Sequence, residues 1–459
     1  MITRLRLENF KTWEETGDLP LAPITGFFGA NSSGKTSLFQ ALLLLKQTAE
    51  SADRGLALHF GDDATLVNLG DFASVVCRHA TSKALSIALG WSVPKALHVS
   101  DTARADRLVI ESKDLSFAAT VAAENGAKRR GPRISVTEMA YSVGDARFGM
   151  RRMASKGAGE YEVFSDAADF QFLRPPKRPS RVPPPSKCYG FPDQARAYLQ
   201  NAGFLADLEL ALEDLFRRVY YLGPLRAYPK RQYTWAGARP SDMGRAGEQA
   251  IDAILSARDR QARISPGPRK RKVLLEQYVA QWLEKLDLIY DFRVEAVVPG
   301  SQIFQVKVRK APGSPEVLIT DVGFGVSQIL PVVVLCFYVP EGSTVILEQP
   351  EIHLHPAVQA GLADVLIDAS RKRNVQILLE SHSEHLLRRL QRRLAEENLD
   401  QREVALYFCE STGEVSTVRS LDLDAFGNIT NYPADFFGDQ LGEIAEMAKA
   451  QLRRRMGAA

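Results

Sequence analysis

Apolar and polar residues alternate over residues 2–10, and this pattern predicts a β-strand. A second extended run follows over residues 19–28. After a turn at Gly29, the stretch SLFQALLLLKQ begins at Ser37; it contains neither glycine nor proline and favours a helix. The N-terminal part of the chain is therefore predicted to form strand, loop and helix in that order.

Strands and helices alternate again in the last third of the chain. An apolar run over residues 332–339 predicts a buried helix, and residues 343–347 and 375–379 predict strands, the first of which runs into an acid. This alternation is typical of an α/β fold with a mostly parallel sheet, whose ligands bind at the carboxyl ends of the strands. Two further helices are predicted over residues 273–288 and 441–456.

The stretch between these two parts is harder to interpret. It contains short strand-like pieces, a proline-rich segment over residues 172–187 that predicts an exposed loop, and a basic segment over residues 258–272. The chain is therefore predicted to consist of two halves of one α/β domain over 1–50 and 301–410, an inserted α+β region over 51–300, and a C-terminal extension over 411–459.

Composition narrows the possible classes of protein. With 45% hydrophobic and 25% charged residues over 459 positions, the chain is long enough for about three domains and is neither disordered nor fibrous. The 58 Lys and Arg residues exceed the 55 acids by only 3, which argues against a histone-like DNA coat but allows local basic patches. The 4 cysteines include no Cys-x-x-Cys pair, so neither a zinc ribbon nor a disulfide scaffold is expected.

No segment is predicted to enter a membrane. Residues 1–10 lack the apolar core of a secretory signal, and the longest strongly apolar stretch, residues 329–340, is shorter than the ~20 residues that span a bilayer. Together with the cysteine usage, this predicts a soluble cytoplasmic protein without a membrane partner.

The turn after the second extended run has the pattern G-x-x-x-x-G-K-[ST], which is typical of a phosphate-binding loop. Its residues are Gly29, Ala30, Asn31, Ser32, Ser33, Gly34, Lys35 and Thr36. The glycines let backbone amides turn inward around a β-phosphate, Lys35 is expected to reach the β- and γ-oxygens, and Thr36 is expected to bind Mg²⁺. Such a loop needs an acid on a neighbouring strand to hold the magnesium shell, and Glu348, at the end of an apolar strand, is the predicted residue. These residues predict a site for ATP and Mg²⁺.

Two further motifs follow the predicted strands of the last third. The run EQPEIHLHP begins at Glu348, and the run ESHS contains His382. With the phosphate loop, these motifs resemble those of the ABC superfamily of ATPases, in the soluble branch that includes the SMC, RecF and OLD-like proteins. The resemblance implies an ABC-type ATPase head in which Glu348 takes the Walker B position and His382 is the switch residue that contacts the γ-phosphate.

The same resemblance implies a signature turn over residues 323–328, where Gly325 and Ser327 open a helix. In related ATPases this turn meets the γ-phosphate bound by a second subunit, so a head-to-tail dimer around two ATP molecules is expected. The amides of a helix amino end suit a phosphate, and Pro331 is expected in the first turn of that helix.

The residue after Glu348 departs from the family pattern. Gln349 stands where these ATPases usually have a catalytic glutamate, and an amide cannot accept a proton at neutral pH. General-base help is worth roughly 10²–10⁴-fold, so slow turnover is expected. A glutamine can still orient water, and Glu351 is the alternative base.

Other charged and titratable groups leave alternatives open. A zinc site is a minor alternative for the cluster of His353, His355, His382 and His385 with Glu351 and Glu384. Arg226, in the run YLGPLRAYP, either approaches phosphate or the dimer interface or forms a structural salt bridge. The basic segment over 258–272 and the four arginines over 388–393 could contact nucleic acid phosphates without reading sequence, although a solvated face is the simpler interpretation for the arginines.

The predicted function is a nucleotide-gated sensor or scaffold that controls a separate effector, a nuclease, in bacterial anti-phage defence. This rests on the ATPase motifs and on the run FGNITNYPADFFGDQ from Phe426, which resembles the tail domain of ATPases that accompany such effectors. The alternative is a RecF-like ATPase that binds DNA in repair or recombination. The large insert argues against the energy subunit of a transporter.

Overall fold

The computed structural model describes residues 1–104, 106–124, 133–153, 159–267, 269–433, 436, 446–451 and 454. The strands are β1 Ile2–Phe10, β2 Trp13–Glu15, β3 Leu19–Pro20, β4 Ile24–Gly29, β5 Leu85–Asp101, β6 Arg107–Glu124, β7 Arg133–Val143, β8 Ala146–Arg152, β9 Tyr161–Ser165, β10 Val219–Leu222, β11 Tyr233–Thr234, β12 Arg263–Ile264, β13 Val273–Leu274, β14 Asp291–Ala296, β15 Ile303–Arg309, β16 Val317–Leu318, β17 Thr344–Glu348, β18 Gln376–Glu380, β19 Val404–Ser411 and β20 Ser416–Ser420. The α-helices are α1 Lys35–Glu50, α2 Phe72–Val75, α3 Asp193–Tyr198, α4 Leu205–Arg217, α5 Ala250–Asp259, α6 Leu275–Lys285, α7 Phe324–Tyr338, α8 Pro356–Arg373 and α9 Glu384–Ala395.

Two large sheets position the phosphate loop. The first has the strand order β10-β17-β18-β4-β19-β20, in which β20 runs antiparallel to β19 and the other neighbours are parallel. The second is antiparallel, with the order β2-β1-β5-β6-β7-β8-β9 and with β3 paired to β1. Because β4 lies in the middle of the first sheet and ends at the loop, the carboxyl ends of β17 and β18 lie along the same edge.

Both faces of the parallel sheet are buried, which explains why β10, β17 and β18 are mainly apolar and do not alternate. Val345 and Leu347 of β17 belong to a core that includes the helices α5 to α9, and Ile346 belongs to a second core with α1 and the antiparallel sheet. A single strand thus serves two cores, so an alternating pattern could not appear in its sequence.

The mixed α/β fold predicted from the sequence is confirmed, with shifted element bounds. The predicted run over 19–28 is two strands, β3 and β4, with Pro23 between them, a residue that cannot donate to a ladder. The helix predicted from residue 37 begins at Lys35, and the helix predicted over 273–288 is α6. The predicted strands of the last third are β17 and β18.

The expected position of Pro331 in the first helical turn is wrong. The helix α7 begins at Phe324, eight residues before the predicted apolar run, which places Pro331 inside the helix. The proline ring lies against Gly247, where an added Cβ would be 2.5 Å from the Cβ of Pro331. The apolar run over 332–339 marks only the second half of α7, whereas the signature turn over 323–328 lies at its true start.

The structure differs from the predicted range of the insert. Within residues 51–300, β5 pairs with β1 and β10 pairs in parallel with β17, so this range supplies strands to both large sheets. The predicted extension also begins inside β19, at residue 411. These pairings join residues that are far apart in the chain, which local patterns do not record.

Three other predictions can be placed on the chain. The proline-rich residues 172–187 form no helix or strand beyond two isolated bridges, of Val182 with Tyr161 and of Ser186 with Gly190, as expected of a loop. Of the predicted closing helix, residues 446–451 are helical and most of the remainder lies outside the described residues. Over the part of the chain that the structure describes, no helix is both long enough and apolar enough to cross a membrane.

Candidate functional site

The phosphate-loop pattern over residues 29–36 joins the end of β4 to the start of α1. Gly29 and Gly34 have φ angles of 136° and 88°, which side chains rarely allow. A Cβ on Gly29 would lie 2.1 Å from the backbone oxygen of Cys409, and one on Gly34 would lie 2.7 Å from the hydroxyls of Ser416 and Thr12. Both glycines are therefore required by the close packing of β19, β20 and the β1–β2 turn around the loop.

The Lys35 side chain is buried and folds back over the loop. Its ammonium group donates hydrogen bonds to the backbone oxygens of Gly29 at 3.1 Å and Ala30 at 2.6 Å and to the Ser33 hydroxyl at 3.3 Å. Burial lowers the pKa of Lys35, and the Glu380 carboxylate, 4.0 Å away, opposes part of that shift. The amine is thus held at the centre of the loop.

Glu348 and Glu380 lie side by side at the ends of β17 and β18, where they are register partners. Glu380 accepts a hydrogen bond from the Thr36 hydroxyl at 2.7 Å, and Glu348 accepts one from the Tyr221 hydroxyl at 3.1 Å. Burial, followed by the charge of Glu380, raises the pKa of Glu348 to about 8; burial also raises the pKa of Glu380. Two buried carboxylates beside a hydroxyl are oxygen ligands of the kind that Mg²⁺ prefers.

Sequence reasoning missed Glu380. The sequence pattern that indicated Glu348 also applies to Glu380, because both residues end an apolar strand. The contact of Glu380 with Thr36, however, depends on β18 lying directly beside β4. That neighbour relation cannot be read from the local sequence.

The turn after β17 brings Gln349 to the phosphate loop. Gln349 has a φ of 44°. Its backbone amide donates to the Glu380 backbone oxygen at 2.9 Å, and its side chain hydrogen-bonds the Glu380 carboxylate. Glu351 is buried and faces a different group: one of its carboxylate oxygens accepts the His382 amide at 2.7 Å. Burial lowers the pKa of the His382 imidazole, and the charge of Lys35 lowers it further.

A cleft of about 340 Å³ lies over the loop. Its lining residues are Lys11, Thr12, Asn31, Ser32, Ser33, Gly34, Lys35, Thr36, Ser37, Gln40, Gln349 and Glu380. Lys11 and Thr12, from the β1–β2 turn, were not predicted. An inward-turning glycine loop, a buried ammonium and adjacent carboxylates fit a magnesium–nucleoside triphosphate.

The predicted signature residues lie elsewhere. Neither Gly325 nor Ser327 lines this cleft; Ser327 is buried in the first turn of α7, and its hydroxyl donates to the backbone oxygen of Phe324 at 2.7 Å. The half-exposed ring of Phe324 packs against Tyr228 and His353. One chain therefore does not bring its own signature turn to its own phosphate loop.

The histidine cluster does not form a zinc site. His355 caps α8, its Nδ1 accepting the Ala357 amide at 3.3 Å. In the described ranges, no three His, Cys, Asp or Glu side chains are grouped so that they could hold a metal ion.

The glycine loop, the buried ammonium and the paired carboxylates at this edge of the sheet form an arrangement that is typical of phosphate-binding loops. Residues 212–388 match the family described as "AAA domain, putative AbiEii toxin, Type IV TA system". Residues 399–447 match the family described as "Protein of unknown function (DUF3696)". None of the curated proteins is detectably similar to the chain in sequence.

Three solved structures of SMC heads are similar to the chain. The SmcHead bound to the C-winged helix domain of ScpA shares 13% identity with a TM-score of 0.45, over 92% of this chain and 98% of that one. The SMC head domain from Thermotoga maritima shares 10% identity with a TM-score of 0.39, over 92% and 99%. The Smc head with an extended coiled coil, bound to the C-terminal domain of ScpA derived from Pyrococcus furiosus, shares 11% identity with a TM-score of 0.43, over 92% and 96%.

Proposed function

We propose that the protein binds Mg·ATP in the cleft over residues 29–36, hydrolyses it slowly, and dimerises head to tail around the nucleotide. In this proposal the dimer is a sensor or scaffold that controls a separate effector, a nuclease, in bacterial anti-phage defence. The observation that carries the proposal is the convergence of Lys35, Thr36, Glu348 and Glu380 at one edge of the parallel sheet. The resemblance of the C-terminal run to effector-associated ATPases supports the defence role.

The residues of this chain have separate tasks in the proposed reaction. Lys35 and the loop amides hold the β- and γ-phosphates, and Thr36 with Glu348, assisted by Glu380, holds Mg²⁺, which when bound neutralises charge that develops on the phosphates. Gln349 lines the cleft and orients the attacking water. Glu351 holds the backbone of His382, the proposed switch residue.

Slow turnover follows from the position of the available groups. The side-chain amide of Gln349 cannot take a proton. One carboxylate oxygen of Glu351, the alternative base, already accepts a hydrogen bond from the backbone amide of His382. The bound state is therefore long-lived, which suits a protein that holds a partner until nucleotide is hydrolysed.

The dimer requires the signature turn of a second copy. Support comes from the separation within one chain: Ser327 and Gly325 do not line the cleft formed by residues 31–36. The exposed side chain of Tyr228, which packs against Phe324, adds apolar surface near the proposed signature turn. The Ser327 hydroxyl, now bonded to Phe324, has to turn outward to reach a phosphate of the partner copy.

The mass of the protein in solution tests this proposal. With Mg·ATP, a fraction of about twice the monomer mass is expected, and the Ser327→Arg variant is expected to remain monomeric while it binds the fluorescent analogue MANT-ATP normally. A monomer with and without nucleotide would contradict the dimer. Co-purification of a nuclease that depends on added ATP is the expected sign of an effector.

A second candidate function, DNA binding, is favoured by the hairpin β12–β13. Six cations on or beside this hairpin are exposed, and none forms an ion pair with a described residue: Arg260, Arg263, Arg269, Lys270, Arg271 and Lys272. The four arginines of α9, by contrast, each pair with an acid. The Pro266 backbone oxygen accepts from Lys372 near the end of α8, so the hairpin lies about 24 Å along that helix from its first residue, Pro356.

Charge reversal of residues 269–272 to glutamate tests DNA binding. Affinity for a fluorescent 30-base-pair duplex at low salt is expected to fall by about tenfold or more, because phosphate contacts dominate such binding. The control reverses four dispersed exposed lysines, Lys95, Lys113, Lys177 and Lys310, and changes the net charge equally. An equal loss in both variants would assign the effect to net charge rather than to the hairpin.

A further inference from the structure

Arg226 is a buried cation beside the proposed site that the reaction described above does not use. It lies in the turn after β10 and is only 7% exposed. One terminal nitrogen donates to the backbone oxygen of Glu348 at 3.3 Å, whereas Nε and the other terminal nitrogen have no hydrogen-bond partner among the described residues. A buried guanidinium with two unsatisfied nitrogens is costly to the fold.

A structural salt bridge does not account for this arrangement. No carboxylate within the described chain forms an ion pair with Arg226, although Glu348 and Glu351 lie near it. Of these two carboxylates, Glu348 accepts a hydrogen bond from the Tyr221 hydroxyl, and one oxygen of Glu351 accepts one from the His382 backbone amide. The one contact that Arg226 makes is therefore to backbone.

That contact fixes one peptide group. The peptide between Glu348 and Gln349 is held at both ends, since its oxygen accepts from Arg226 and its N–H donates to the Glu380 backbone oxygen at 2.9 Å. Directly after this peptide, Gln349 has the left-handed φ of 44°, a conformation that a non-glycine residue keeps only when its surroundings hold it.

Arg226 is itself anchored. The amide of Gly223 donates to the Arg245 backbone oxygen at 2.8 Å, and that of Ala227 donates to the Ala246 backbone oxygen at 2.9 Å. The guanidinium thus extends from a fixed turn to the end of the neighbouring parallel strand.

We propose that Arg226 is a positioning residue that locks the Glu348–Gln349 peptide and thereby aims the Gln349 side chain at the phosphate cleft. The proposal deepens the proposed ATPase function and rests on it. It explains why an unsatisfied buried charge is retained: its function is to hold a strained turn at the site.

Hydrogen exchange provides a test that does not depend on turnover. In Arg226→Met the backbone amide hydrogen of Gln349 is expected to exchange at least about tenfold faster than in the wild type. The reason is that the Glu348–Gln349 peptide loses the hydrogen bond from Arg226, which is one of its two restraints. Thermal stability is expected to be unchanged or higher, since the substitution removes two unsatisfied buried nitrogens. Unchanged exchange at Gln349 would overturn the proposal, whatever the ATPase activity of the protein.

Kinetics provide the second test. Arg226→Met is expected to lower kcat by about tenfold or more and to leave KM for ATP within about twofold, because misplacement of a water-orienting group affects the chemical step. Arg226→Lys is expected to restore part of kcat. In the Gln349→Gly background, Arg226→Met is expected to cause no further loss, and additive losses would contradict a role through Gln349.

Arg373 supplies the matched control. It also donates to a backbone oxygen, that of Val339 at 2.9 Å, and also has an unsatisfied buried nitrogen, but it lies at the far end of α8. Arg373→Met is expected to leave kcat and KM unchanged. If the wild-type protein hydrolyses no ATP, the proposed function fails, while the exchange result still decides the role of Arg226. If the wild type is active and Arg226→Met has the same kcat and the same exchange rate at Gln349, the inference about Arg226 alone fails.

Discussion

Lys35→Met is expected to weaken the binding of MANT-ATP by about 100-fold or more, because charged hydrogen bonds to phosphate are among the strongest single contacts in such a site. The side chain is 2% exposed and its ammonium group is already centred on the loop, held by two backbone oxygens and the Ser33 hydroxyl. A bound phosphate would replace these partners with stronger, charged ones. Methionine fills the same space without the charge.

The control for this experiment is Lys95→Met, which removes an exposed lysine of β5. Its affinity for MANT-ATP and its unfolding temperature are expected to equal those of the wild type. The Lys35→Met protein should unfold at a temperature close to that of the wild type without nucleotide and should lose the stabilisation that Mg·ATP confers on the wild type. If Lys35→Met binds nucleotide as well as the wild type does, the cleft over residues 29–36 is not the nucleotide site.

Gln349→Glu is expected to raise the ATPase rate by about 10- to 100-fold, since it places a general base at a position that lines the cleft. The full range of general-base catalysis is not expected, because the new carboxylate adjoins Glu380, which already accepts a hydrogen bond from Gln349. Single-turnover measurements with Mg·ATP separate this chemical step from product release.

Glu351→Ala distinguishes the two possible bases. If Gln349 orients the water, Glu351→Ala should act mainly through the His382 backbone that Glu351 holds, and Gln349→Glu should still accelerate hydrolysis in its presence. An unchanged rate in Gln349→Glu, together with complete loss in Glu351→Ala, would assign the base to Glu351.

The phosphate loop could be predicted because its chemistry depends on a local backbone conformation that few sequences allow. The glycines at 29 and 34 both take positive φ angles, as the pattern requires. Glu348 could be chosen for a similar reason, since it ends an apolar strand that the pattern reveals.

Groups whose roles depend on neighbouring strands could not be found in this way. Thr12 touches the loop through the packing of the β1–β2 turn, and Glu380 does so through the pairing of β18 with β4. The long strand β5 was not predicted, because register shifts between residues 92 and 97 and between residues 99 and 100 interrupt its alternation. Bulges of this kind change which face a side chain occupies.

The position of β4 in the middle of the parallel sheet has a consequence for biosynthesis. Its two neighbours in the sheet, β18 and β19, are synthesised more than 340 residues after it. The Gln376 side chain, which hydrogen-bonds the backbone N–H and the backbone oxygen of Ile2, is also synthesised late. A nascent chain on the ribosome therefore carries the glycine loop for most of its synthesis without the strands that shape it. The proposed nucleotide site can therefore be complete only after residue 409 has been translated.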